Sequence, residues 1–150
     1  MSVGLKILSE LGIPLQVKVN ALTPIEAALE IGNNQNCDSL CVSNAIPYGS
    51  YFPEPWWKAG FGDKSPLAKY NGGALSEDPL RNITLAWIEK IRRVGFSKPI
   101  NGGGGILKPD HVDQYRDSGA DSVFLGSIAV LRGWRVHKTI ERAYKLFGDE

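Results

Sequence analysis

The stretch Asn101-Gly102-Gly103-Gly104-Gly105-Ile106 constrains this chain more than any other. Glycine loses more conformational freedom on folding than any other residue. Four in succession are therefore expected outside a strand interior, where backbone turns tightly and passes close to something. The residues that follow, Lys108-Pro109-Asp110-His111-Val112, read as the opening turn of a helix with Pro109 near its first position. A glycine loop feeding a helix start directs backbone N–H groups toward an anion. Further on, Ser122-Val123-Phe124-Leu125 forms an apolar strand that runs into a second glycine turn at Gly126-Ser127. The two junctions together predict one phosphate-holding site, with Gly104 and Gly105 on one loop and Gly126 and Ser127 on the other.

The rest of the chain alternates between two periods. Residues 2–11 carry apolar side chains at Val3, Leu5, Ile7, Leu8 and Leu11, compatible with a short helix closed by Gly12. Residues 14–19 alternate, with Leu15, Val17 and Val19 on one face and Gln16 and Lys18 on the other, which predicts a strand. Thr23 is expected to cap a helix that begins at Pro24 and stops at Gly32. Residues 39–43 predict a second apolar strand ending at Asn44. Residues 45–81 show no period, are rich in proline and glycine, and contain the adjacent Trp56 and Trp57. A connection of that length predicts an irregular functional loop or lid. It closes on Asn71-Gly72-Gly73-Ala74-Leu75-Ser76, a second place where backbone can approach a ligand. Asn82 is expected to cap a helix with a stripe of Ile83, Ala86, Trp87, Ile91 and Val94, ended by Gly95. A strand at Ile100, a helix to Ser118, the strand through Leu125 and a helix over 134–147 follow. That last helix should present Val136, Ile140, Ala143 and Tyr144 on one face.

Strands alternating with helices predict a parallel sheet with right-handed crossovers. Four strand–helix units are half of an eight-unit (β/α) barrel, and the short apolar strands suit a barrel better than an open sheet. An open dinucleotide-binding sheet would carry its glycine fingerprint on the first unit and an acidic residue after the second strand, and neither is present. The 150 residues are one domain's worth of chain. A net charge of +1, from 17 basic and 16 acidic residues, gives no field that favours nucleic acid or anionic lipid. No apolar stretch approaches the roughly 20 residues of a membrane span. The start of the chain lacks the apolar block of a signal peptide. Cys37 and Cys41 are the only cysteines. They are expected to be buried, inert thiols of a cytoplasmic protein, with no clustered ligands for a metal.

With those pieces in place the chain resembles the C-terminal half of the dihydroorotate dehydrogenase family, FMN-dependent enzymes on a TIM barrel. The resemblance is carried by Lys18 in Gln16-Val17-Lys18-Val19, Asn44 after Leu40-Cys41-Val42-Ser43, Gly72-Gly73-Ala74-Leu75-Ser76, Gly104-Gly105-Ile106, and the strand 122–127 preceded by Gly119-Ala120-Asp121. It covers barrel strands five to eight. The resemblance implies that Lys18 contacts the flavin ring and supports negative charge on it in the reduced state. It further implies that Asn44 hydrogen-bonds a dihydropyrimidine substrate, and that Gly72 and Gly73 let backbone approach the cofactor. Gly104, Gly105, Gly126 and Ser127 become the FMN phosphate cradle.

Two departures accompany it. The substrate asparagine is followed by Ala45 where the family has Thr or Ser, and the stretch 47–70 with Trp56-Trp57 has no match in the biosynthetic enzymes. The family's catalytic Cys or Ser base follows strand four, so it is expected upstream of Met1, and no catalytic residue is assigned here. The chain is accordingly read as the FMN-binding part of an oxidoreductase of pyrimidine biosynthesis, inactive alone. Its expected partners are a missing N-terminal half or a second copy. The alternative is a non-catalytic phosphate-binding half-barrel that self-associates across its open sheet edges. A glutamate-synthase-like flavin domain is a third reading, disfavoured by Lys18, Asn44 and Gly72-Gly73.

Overall fold

A computed structural model describes residues 2–148. Four parallel strands form its sheet: β1 (Gln16–Val19), β2 (Ser39–Val42), β5 (Ile100–Gly103) and β6 (Ser122–Phe124), in the order β1-β2-β5-β6. Between β2 and β5 a separate two-stranded antiparallel ribbon pairs β3 (Ile46–Pro47) with β4 (Ala74–Leu75). The helices are α1 (Ser2–Ser9), α2 (Ile25–Gly32), α3 (Glu54–Phe61), α4 (Asp78–Arg93), α5 (Pro109–Asp117), α6 (Ser127–Leu131) and α7 (Val136–Phe147). The expected alternation of four strand–helix units and the parallel sheet are present.

Alternation along the strands sorts the sheet into two faces. Val19, Leu40, Val42 and Ile100 are buried beneath Ile88 and Ile91 of α4 and Val112 and Tyr115 of α5, and these form the core. Gln16, Lys18, Ser39, Asn101 and Phe124 occupy the opposite face. There Gln16 Nε2 donates to Ser39 Oγ (3.0 Å), and Lys18 Nζ lies 4.7 Å from the centroid of the Phe124 ring. Lys18 and Phe124 belong to the first and fourth strands. A flat sheet would hold those strands about 14 Å apart, so their contact reflects a sheet curled around its polar face. Both cysteines are free and buried in this framework, and burial pushes both thiol pKa values up.

Several expectations are corrected. Gly102 and Gly103 lie inside β5 rather than beyond it. The reason is steric: a Cβ on Gly102 would sit 2.6 Å from Tyr115 Cδ1, and one on Gly103 would sit 2.5 Å from Phe124 Cε1. Close packing on both faces of the strand outweighs the entropy cost of glycine. Residues 45–81 are also not irregular throughout, since they hold the β3–β4 ribbon, α3 and a 3-10 turn at Ala68–Tyr70. Ile46, Trp57 and Leu80 form a second small core that seats this segment on α4. Helix α4 starts at Asp78, not after Asn82, because Pro79 opens its first turn and the Glu77 carbonyl accepts from Leu80 N (3.0 Å). Its buried stripe is Leu80, Thr84, Trp87, Ile88 and Ile91, with Ala86 and Val94 outside it. Thr23 does not cap α2, for its hydroxyl accepts from Asn20 N (3.2 Å). In α7 Ala143, Leu146 and Phe147 pack inward, while Ile140 and Tyr144 face solvent. The chain between β6 and α7 folds into α6, which periodicity does not indicate.

Among the described residues no helix is long and apolar enough to cross a membrane. Nor is any group of three or more His, Cys, Asp and Glu side chains there placed to hold a metal ion.

Candidate functional site

All four sheet strands run in one direction, so the loops after them gather at one end. There they enclose a pocket of about 190 Å³. Lys18 reaches it from the end of β1, and Ser43, Asn44 and Ala45 from the loop after β2. Gly104, Gly105 and Ile106 come from the loop after β5, and Gly126 and Ser127 from the loop after β6, with Phe124, Leu80 and Ser76 completing the wall. Six of the eight residues singled out from the sequence, Lys18, Asn44, Gly104, Gly105, Gly126 and Ser127, thus converge. Gly72 and Gly73 do not. They lie at the turn leading into β4, with φ of 85° and 66°, where Gly73 O accepts from Tyr48 N (3.1 Å) and a Cβ on Gly73 would strike Leu67 at 2.5 Å. The turn and its packing account for both glycines.

The glycine loop after β5 is tied down from behind. Tyr115 Oη donates to Gly104 O (2.7 Å), and His111 Nδ1 lies 3.0 Å from Gly105 O. The same Nδ1 accepts from Leu107 N at 3.2 Å, and Arg81 Nη1 lies 2.7 Å from Nδ1 and 2.8 Å from Nε2. Arg81 is itself buried and paired with Asp78. Burial, and then the Arg81 charge, hold the His111 pKa below its ordinary range, so the ring is neutral and serves as a strut. Burial also raises Tyr115 far above the usual phenol value. The two carbonyls point away from the pocket. Among the described residues, the N–H groups of Gly105, Ile106 and Gly126 have no acceptor within the chain.

The glycines in this pocket are glycine for different reasons. Gly104 (φ 112°) and Gly105 (φ 67°) are left-handed and crowded, with a Cβ on Gly105 falling 2.3 Å from Glu77 O. Gly126 has φ of −125°, and a Cβ there meets nothing within 4 Å. Packing does not demand glycine at that position, and the space in front of it is open. This arrangement fits a phosphate: unsatisfied N–H donors, a hydroxyl at Ser127, and a short helix beginning at that residue after the last strand. Ser76 has no role assigned from the sequence, yet its Oγ lies 3.3 Å from Ser127 Oγ and links the β4 loop to the cradle. Its only sequence signal is its place at the end of the run Gly72-Gly73-Ala74-Leu75-Ser76. Lys18, exposed at the pocket edge, is the one titratable side chain among the lining residues.

The fold and this pocket define four consecutive strand–helix units of a TIM barrel, with glycine-rich loops after the last two strands. Two crystal structures of DHODH from Eimeria tenella share that fold. One, of a ligand-free type, matches with a TM-score of 0.64 at 17% identity, covering 90% of this chain and 36% of its own. The other, in complex with ferulenol, matches with a TM-score of 0.65 at 20% identity, covering 88% of this chain and 34% of its own. The chain therefore spans about a third of the length of these similar structures, and at such identities the likeness is one of fold. No protein-family model and no curated protein matches the sequence.

Proposed function

We propose that the chain is the FMN-binding part of a DHODH-like oxidoreductase, the glycine loops holding the cofactor phosphate. The observation that supports this best is the convergence of Lys18, Asn44, Gly104, Gly105, Gly126 and Ser127 on one pocket of a barrel segment similar in fold to DHODH. The N–H groups of Gly105, Ile106 and Gly126 and the Ser127 hydroxyl would hold the phosphate oxygens. Lys18 would place its ammonium beside the flavin ring, and its cation would lower the cost of negative charge there. When bound, FMN supplies a hydride acceptor at N5. Asn44, exposed at the pocket rim, offers one amide donor and one acceptor for orienting a dihydropyrimidine or a related ring. By the resemblance, the carbon-bound proton is taken by a Cys or Ser that follows barrel strand four. That step belongs to a group outside this set, and the isolated chain is expected to bind rather than turn over.

The test is the visible absorption spectrum after adding excess FMN and desalting, with Lys18→Glu measured in parallel. Retained flavin in the parent chain and at least tenfold weaker binding or a shifted reduction potential in the variant are expected. A chain that keeps no flavin would leave the alternative standing, a phosphate-binding half-barrel module without redox chemistry.

A further inference from the structure

A second cavity, of about 540 Å³, opens beside the glycine-loop pocket and is built by the segment between β2 and α4. Tyr48, Trp56, Trp57 and Phe61 set aromatic rings into its wall beside Leu67 and Glu77, and Ser76 lines both cavities, so the two adjoin at that residue. The rings are set without help from a ligand. Tyr48 and Trp57 lie 4.8 Å apart and tilted, Trp56 stacks on Phe52 at 4.1 Å, and Trp57 Nε1 donates to Phe52 O at 3.1 Å. A space of this size among aromatic rings falls within the roughly 300–1,000 Å³ typical of small-molecule pockets.

Gly60 lies on α3 at the cavity wall and is exposed, its backbone is outside the left-handed region, and a Cβ there meets nothing within 4 Å, so a side chain can be added at this position without strain or crowding.

We propose that this cavity binds a planar aromatic ring, a substituent of the small molecule whose reacting ring Asn44 orients in the adjoining pocket. Planar rings are favoured over aliphatic ones because aromatic wall residues suit offset stacking and edge-to-face contact. The ring-binding claim stands on the cavity, and its assignment to a substrate rests on the flavin reading of the neighbouring pocket.

The experiment is isothermal titration of the chain with 2-naphthol and with decahydro-2-naphthol, its non-planar saturated counterpart, alongside FMN retention on the same preparations. Saturable 2-naphthol binding, at least tenfold tighter than that of the saturated alcohol, is expected. Gly60→Leu, which adds a side chain at the cavity wall from a helix position without strain, should weaken it at least tenfold without lowering Tm. Phe61→Ala removes one ring of the wall and should also weaken 2-naphthol binding, with Tm read alongside. Equal affinity for the two alcohols, no saturable heat, or undiminished binding in Gly60→Leu would each overturn the proposal. Ring binding that survives while FMN is not retained supports the cavity and removes the flavin reading; retained FMN without ring binding does the reverse.

Discussion

Gly105 and Gly126 line the same pocket but answer to different forces. A side chain on Gly105 meets the Glu77 carbonyl and forces a left-handed backbone on a branched residue. Gly105→Val should therefore cost about 3 kcal/mol, a Tm drop of about 10 °C in a chain of this size, and its loss of ligand would report the fold rather than the site. Gly126→Leu places its side chain in open space. It should leave Tm within a few degrees while weakening FMN or inorganic phosphate binding at least tenfold, measured by titration. A Gly126→Leu chain that binds as well as the parent would remove Gly126 from the cradle.

Between α4, β5 and β6 the joint is made by one side chain. Arg92 Nε donates to Gly119 O (2.8 Å), and Nη1 donates to the carbonyls of Phe96 (2.7 Å) and Lys98 (2.9 Å). Its Nη2 pairs with Asp121, whose carboxylate also accepts from Ile100 N at 2.7 Å. The run Gly119-Ala120-Asp121, which carries part of the family resemblance, is therefore explained by packing. Gly119 (φ 99°) clears the Arg92 stem, Ala120 is buried, and Asp121 sets where β6 begins beside β5. Arg92→Met keeps the stem and removes the donors. Several hydrogen bonds with a charged partner are lost, so about 2–3 kcal/mol of stability should go with them, read as a lower urea midpoint. An unchanged midpoint would show that water replaces the guanidinium at no cost.

Four parallel strands leave β1 and β6 each with one unpaired edge. The segments flanking those edge strands in sequence are where apolar side chains face solvent: Val3, Ile7, Leu8, Leu11 and Ile13 before β1, and Val130, Leu131, Trp134 and Tyr144 after β6. The polar curled face holds Asn101, whose buried Oδ1 has no partner among the described residues. Open edges, exposed apolar residues and an unsatisfied inner amide together predict association. Sedimentation velocity should show a mass that rises with concentration, or capture of a complementary barrel segment supplied in trans. A strictly monomeric species at every concentration would show that the edges are protected by their own twist.

The elements that could be read from the chain are those whose pattern is local. Val17 and Val19 alternating with Gln16 and Lys18 mark β1, Pro109 opens α5, and Gly104-Gly105 marks the left-handed loop after β5, because period and backbone freedom are written residue by residue. Packing between distant segments settled the remainder. Tyr115 and Phe124 press on Gly102 and Gly103 from other elements and so make strand of what looks like loop. Leu80 and Trp57 bury together and so fold α3 onto α4. Ser76 reaches Ser127 only because the β4 loop and the loop after β6 are brought to one end of the sheet. Such contacts join residues tens of positions apart, and their energies depend on shape and burial that no stretch of sequence carries alone.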